Sequence, residues 1–298
     1  MGHPPAKLLK RLDAVAASVA RRSYALALIG LGSVGAERER LDAFSDLDFF
    51  VIVEPGHEAS LLDSLSWLEQ AAHIGFSFRN TPAGYKVMFA DGVYAEFAVF
   101  TPDELASIPA TAAAWIWRRK TKAAQELQLP RLAAPGTVDR AFLVGEILTN
   151  LYVGLTRLRR GELVSAHRFI QGYAVGSLLK LWPELEPESR TPGDPFDETR
   201  RFETRFPGSG PQLADFLQGY DRSVESALAI LKFLELRFPV DREMKRRILQ
   251  VATSVPGRQI WRQSRASPER VPILRWSTRR TLPYEGKMPG DIVRPSFG

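Results

Sequence analysis

Two aspartates one residue apart, Asp46 and Asp48, open the apolar run Leu47–Val53 in the stretch LALIGLGSVGAERERLDAFSDLDFFVIV. Residues i and i+2 of a strand project from one side, so the two carboxylates stand together at the strand's mouth. Ionised carboxylates side by side repel, and beside an apolar strand each is costly unless something compensates its charge. A divalent cation does so. Mg²⁺ is the hard, oxygen-preferring ion usually held by one or two carboxylates together with substrate phosphates. Upstream, Gly30-Leu31-Gly32-Ser33 ends the preceding apolar run with glycines that let backbone N–H groups approach an anion. Ser33 adds a hydroxyl able to reach a phosphate oxygen. Together these are the ingredients of a metal–triphosphate site.

A third carboxylate is expected on a neighbouring strand. In VYAEFAVF, alternation puts Val93, Ala95, Phe97 and Val99 on one face and Tyr94, Glu96 and Ala98 on the other. Glu96 is the one acid in that run. A strand glutamate without a partner is unstable, so its expected partner is the same metal or the hydroxyl of a substrate.

The Gly32-Ser33 turn, then Ser45-Asp46-Leu47-Asp48, then a later strand acid resemble the nucleotidyltransferase superfamily typified by DNA polymerase beta. Within it the chain looks most like the antibiotic nucleotidyltransferases, the lincosamide and aminoglycoside enzymes. The matching motifs run from about Ile29 to Phe100. The loop GAERERLDA departs from the family: it is longer and more charged than in compact members and lacks the Ala-Arg-Gly often found there, with Arg38 and Arg40 as its candidates for phosphate contact. The resemblance implies that Gly32, Ser33 and Ser45 bind nucleotide while Asp46 and Asp48 hold Mg²⁺ on the β- and γ-phosphates of a nucleoside triphosphate. It further implies that a hydroxyl of a small-molecule acceptor attacks the α-phosphorus. Glu96 then completes the metal site or accepts the hydroxyl proton; both jobs need a carboxylate near the attacking oxygen.

The elements that must position these residues follow from periodicity. Residues 6–22 have helical spacing, Tyr24–Leu31 and Leu47–Val53 read as strands, and His57–Ala72 reads as a second helix. Phe76–Thr81, Tyr85–Ala90 and Val93–Phe100 read as three more strands, the last two joined by Asp91-Gly92, a two-residue hairpin signal. Trp115 and Trp117 alternate in a short strand or linker. From about Val138 the pattern becomes helical: a stripe from Phe142 to Leu158, then Leu163–Trp182, Phe216–Leu236 and Asp241–Val251. The expected fold class is α+β: a mixed-sheet catalytic domain over residues 1–125, a helical bundle over 138–253 and an extended basic tail over 254–298.

Composition narrows the function classes. The chain has no cysteine, which excludes disulfides, thiolate metal sites and thiol nucleophiles. The net charge is +6, and residues 254–298 carry nine basic residues against three acids. The whole excess therefore lies in the tail and says nothing about the folded domains. The N-terminus reads as an amphipathic helix rather than a secretion signal, and no apolar run reaches the ~18–20 residues of a membrane span. A cytoplasmic location is the expectation, with no membrane partner. The tail's arginines, with Trp261, Trp276 and Tyr284 interleaved, support an alternative in which nucleotidyl transfer has a protein or RNA acceptor, or in which the chain is a nucleic-acid binding module. A small-molecule acceptor is favoured. Its pocket would close within one chain or between the subunits of a homodimer.

Overall fold

The computed structural model describes residues 2–110, 112–130, 139–191, 193–194 and 197–254. The expected basic tail lies almost wholly outside the described residues. The chain divides into two compact units near residue 134.

In the first unit, helix α1 (Pro5–Ala20) aligns Leu8, Leu12, Val15 and Val19 along one buried stripe. The strands are β1 (Ala25–Gly30), β2 (Leu47–Val53), β3 (Ile74–Thr81), β4 (Gly84–Phe89), β5 (Tyr94–Phe100) and β6 (Ala114–Arg118). They form one sheet in the order β3-β4-β5-β2-β1-β6. Only the central pair β2–β5 is parallel; the other four pairings are antiparallel. The mixed α+β architecture followed by helices is as the periodicity predicts. The Trp115–Trp117 segment is an edge strand, paired with β1.

One face of the sheet is covered by α1 and by two short helices, α2 (Glu58–Leu62) and α3 (Ser66–Glu69), around Phe49, Trp67 and Phe97. Phe49 and Phe97 stack at 5.5 Å, and Trp67 meets Phe97 edge-on at 5.3 Å. The single helix expected over 57–72 is thus two. Trp67 Nε1 donates to the Leu61 carbonyl at 3.0 Å and Tyr85 Oη to that of Leu62 at 2.8 Å. These side chains satisfy carbonyls at the end of α2, where the chain stops being helical.

The opposite face is covered over Phe50, Ile52, Ala98 and Phe100, which pack with Leu105 of α4 (Pro102–Ser107) and Ala124 of α5 (Lys122–Glu126). Helix α4 starts at a capping box in which the Thr101 hydroxyl accepts from Glu104 N and the Glu104 carboxylate accepts from Thr101 N. The same face is open over β3 and β4, where Phe76 and Phe78 are 60% and 56% exposed.

The β4–β5 hairpin differs from expectation by one residue. Its loop is Ala90-Asp91-Gly92: Gly92 N donates to Phe89 O at 2.8 Å, Phe89 N to Val93 O at 2.9 Å, and Gly92 sits at φ +88°. A three-residue loop with glycine in the left-handed region is a standard hairpin closure. Asp91 is held by Lys7 at 3.0 Å and Arg11 at 2.9 Å, both on α1. Burial raises its pKa, but the two cations outweigh that and bring it down to about 2. The pair therefore contributes fully above an unfolded value of about 3.9, and its contribution disappears as pH falls towards 2. At 39% side-chain exposure the contribution is below about 1 kcal/mol. Melting temperature measured between pH 5 and pH 2 should fall less steeply in Asp91→Asn than in the parent protein.

The second unit is helical: α6 (Arg140–Arg159), α7 (Leu163–His167), a π-helical segment Arg168–Ala174, α8 (Val175–Leu181), α9 (Phe202–Arg205), α10 (Gly210–Phe216), α11 (Ser223–Glu235) and α12 (Arg242–Thr253). Asp139 and Asp241 cap α6 and α12, accepting from Phe142 N and Met244 N. Their core contains Leu151, Leu155, Ile170, Trp182 and Phe233. The helix expected from Phe216 to Leu236 is interrupted between α10 and α11. Buried Gln171 accounts for the break by clamping Gly219: its Oε1 accepts from Gly219 N at 2.9 Å and its Nε2 donates to Gly219 O at 2.7 Å. Gln171→Ala leaves both backbone groups without that partner and is expected to lower unfolding free energy by ~1–3 kcal/mol, read as a lower urea midpoint at unchanged slope.

Candidate active site

The parallel register of β2 and β5 sets Asp48 opposite Glu96 and Leu47 opposite Ala95. The antiparallel registers of β5 with β4 and of β4 with β3 then place Lys86 beside Glu96 and Phe78 beside Lys86. Directly opposed residues share a face, so Asp48, Glu96, Lys86 and Phe78 form one row across four strands. A second row runs parallel to it. Tyr94, Met88 and Phe76 are opposed in the same way, and Asp46, one residue before β2, continues the alignment beside Tyr94. Both rows start at a carboxylate and end at an exposed phenylalanine.

Asp48 and Glu96 are 8% and 5% exposed, and Asp46 is half-buried. Burying acids of one sign is costly without compensation. For Glu96 the compensation lies within the sheet: Lys86 Nζ stands 3.3 Å from its Oε2, and Asn80 Nδ2 donates to its Oε1 at 2.8 Å. Its partners within the protein are thus a lysine from β4 and an asparagine from β3. Asn80 sits where the β3–β4 register shifts, and its Oδ1 is buried with no hydrogen-bond partner. Tyr94 reports the field of the carboxylates. Burial pushes its hydroxyl pKa up, Lys86 pulls it down, and the charges of Glu96, Asp46 and Asp48 push it up further. The three acids therefore converge electrostatically on the mouth of the β2–β5 pair.

The Gly32-Ser33 turn lies beside this mouth because it is tied to the carboxylate strand. Leu31 N donates to Asp48 O at 2.9 Å, and residues Gly32–Val34 turn as a short 3₁₀ segment closed by Gly35 N on Leu31 O at 3.0 Å. Gly32 has φ +51°, the left-handed region that a side chain would strain. The Ser45 hydroxyl donates to Asp42 Oδ1 at 3.1 Å and accepts from Asp42 N at 3.0 Å. It thereby closes the loop that delivers Asp46. Of the two loop arginines, Arg38 donates to Gly35 O at 3.2 Å and Arg40 is paired with Glu37.

Among the described residues, no group of three or more His, Asp or Glu side chains is gathered to hold a metal ion. The acids nevertheless suit Mg²⁺. Asp46 and Asp48 would supply the one or two carboxylates that such an ion usually takes from protein when phosphates complete its shell. Glu96 is engaged by Lys86 and Asn80, outside that pair. Lys86, Asn80 and Tyr94 were not singled out from sequence. Tyr94 was within reach, two residues before Glu96 on an alternating strand, whereas Lys86 and Asn80 required the hairpin register.

The fold and site together define an α+β sheet domain that presents carboxylates on an open face beside a glycine-serine turn, followed by a helical unit. Solved structures with some likeness to the chain include an aminoglycoside 6-adenyltransferase from Bacillus subtilis, at 11% identity over 88% of this chain and 97% of that one, with a TM-score of 0.30. A nucleotidyltransferase-like protein from Exiguobacterium sibiricum shares 9% identity over 77% and 75% of the two chains, TM-score 0.29. The Bradyrhizobium diazoefficiens CD-NTase CdnG in complex with GTP shares 12% identity over 79% and 94%, TM-score 0.26. No protein-family model and no curated protein matches the chain. No helix among the described residues is long and apolar enough to cross a membrane.

Proposed function

We propose that this protein is a Mg²⁺-dependent nucleotidyltransferase that moves a nucleoside monophosphate, AMP from ATP, onto a hydroxyl of a small-molecule acceptor. The observation that carries the reading is the placement of Asp48 directly opposite Glu96, with Asp46 and the Gly32-Ser33 turn at the same strand ends. When bound, Mg²⁺ supplies neutralisation of the triphosphate and of the departing pyrophosphate. Asp46 and Asp48 would hold it, and the Gly32-Ser33 turn would orient the phosphates. The acceptor oxygen forms a bond to the α-phosphorus, the bridging α–β bond breaks, and pyrophosphate leaves. Glu96 takes the hydroxyl proton, and its neighbours Lys86 and Asn80 aim its carboxylate for that transfer. In this reading the acid pair binds the metal and the third acid moves the proton.

The test is a screen of α-phosphate-labelled triphosphates with Mg²⁺ against aminoglycosides, lincosamides, tRNA and bulk protein, scoring label transfer and pyrophosphate release. Label on a small molecule, dependent on Mg²⁺, is the expected result. Label on tRNA or protein would instead assign the acceptor to a macromolecule, and no pyrophosphate with any acceptor would remove the reading.

A further inference from the structure

The two rows of the sheet face do not end at the chemistry. Beyond Glu96 and Lys86 the first row reaches Phe78, and beyond Tyr94 and Met88 the second reaches Phe76. Both phenylalanines lie on β3, the edge strand, at 56% and 60% exposure, and Met88 beside them is 36% exposed. An edge strand showing aromatic side chains to water invites pairing with other chains, and proteins usually blunt such edges with charge or proline. Here the apolar side chains share a face with the candidate catalytic acids. Their ring faces suit stacking, and Lys86, which pairs with Glu96, lies between Glu96 and Phe78 in the first row.

We infer that Phe76, Phe78 and Met88 form the acceptor platform, and that the acceptor carries an aromatic or heteroaromatic ring joined to its reacting hydroxyl. The inference rests on the nucleotidyl-transfer reading above. Strand spacing sets the reach. From the row position of Glu96 to that of Phe78 is two strand spacings, about 10 Å, so the ring lies about that far from the hydroxyl that Glu96 serves. The occupant is a planar ring because the platform is aromatic and sulfur-bearing. A ring stacked on Phe78 points its arm past Lys86 towards the α-phosphorus.

The experiment compares the full-length protein with Phe78→Ala and with the Phe76→Ala/Phe78→Ala pair, both at exposed positions where truncation leaves the core intact. The probes are 6-phenylhexan-1-ol, whose arm matches the distance, 6-cyclohexylhexan-1-ol and hexan-1-ol. Label transfer from α-labelled ATP gives KM and kcat, titration without alcohol gives Mg·ATP affinity, and sedimentation gives oligomeric state. Transfer should favour the phenyl alcohol, and KM for it should rise roughly 5- to 100-fold in the variants, the effect of removing one stacking side chain. Mg·ATP affinity and sedimentation should not change.

Equal use of the phenyl and cyclohexyl alcohols, an unchanged KM, or Mg·ATP binding without transfer to any alcohol would overturn the platform and leave the nucleotide site standing. A parent dimer that dissociates in the double variant would assign the face to a second copy of the chain and overturn it as well. Absence of Mg·ATP binding in the parent protein would instead sink the nucleotidyl-transfer reading beneath it.

Discussion

Asp48→Asn is expected to bring nucleotidyl transfer down to background while the protein stays folded. Asparagine keeps the size and shape of the side chain at an 8% exposed position, so the β2 ladder and the packing of Phe49 and Phe50 around it persist. What is lost is a full negative charge that the proposed function assigns to holding Mg²⁺. Thermal melting should therefore change little as activity disappears. Asp46→Asn should behave alike in activity. Pyrophosphate release with saturating Mg²⁺ and triphosphate, set beside a melting curve, makes the measurement. Full activity in both variants would remove the metal mechanism.

The second large effect is at Glu96. As the base for the acceptor hydroxyl, its replacement by glutamine should lower kcat by ~10²–10⁴ and leave Mg²⁺-dependent nucleotide affinity nearly intact. A metal ligand behaves differently: losing it weakens the Mg²⁺–triphosphate complex itself, so affinity and turnover fall together. The structure sharpens the contrast, because Glu96 already has Lys86 and Asn80 as partners and the glutamine oxygen can still accept from Asn80. Titration of nucleotide without acceptor, beside turnover of the same variant, separates the roles. An affinity that collapses with kcat would make Glu96 a ligand. Values matching the parent protein for both would place Glu96 outside the chemistry and leave the Lys86 pair as a purely structural contact.

Much of the site was legible in the sequence because strand alternation is a local property. Strand alternation along Leu47–Val53 and Val93–Phe100 settles which side chains share a face, placing Asp48 with Phe50 and Glu96 with Tyr94 and Ala98. Glycine at position 32 and the Ser45-Asp46-Leu47-Asp48 run announced the turn and the strand mouth for the same reason. What alternation cannot supply is the neighbour across the strand. Asp91-Gly92 read as a two-residue loop would oppose Glu96 to Val87; the actual three-residue loop, closed at Phe89 and Val93, opposes it to Lys86. One residue of loop length thus decides whether the glutamate meets a methyl group or an ammonium, since a slip of one position exchanges the faces of a strand.

The helices divide along the same line. Periodicity sufficed for α1, α6 and α12, where a single stripe meets a single surface. The interruptions between α2 and α3 and between α10 and α11 depend on Trp67, Tyr85 and Gln171 taking backbone groups outside their own elements. The hydroxyl of Ser45, likewise, meets Asp42 within an exposed loop whose geometry strand and helix periodicity do not encode. Sequence alone therefore determined the α+β class and the strand faces on which the acids lie. Tertiary structure decided which partners those acids have, and that they stand on an open face ending in Phe76 and Phe78, because sheet order and register are properties of pairing rather than of any one segment.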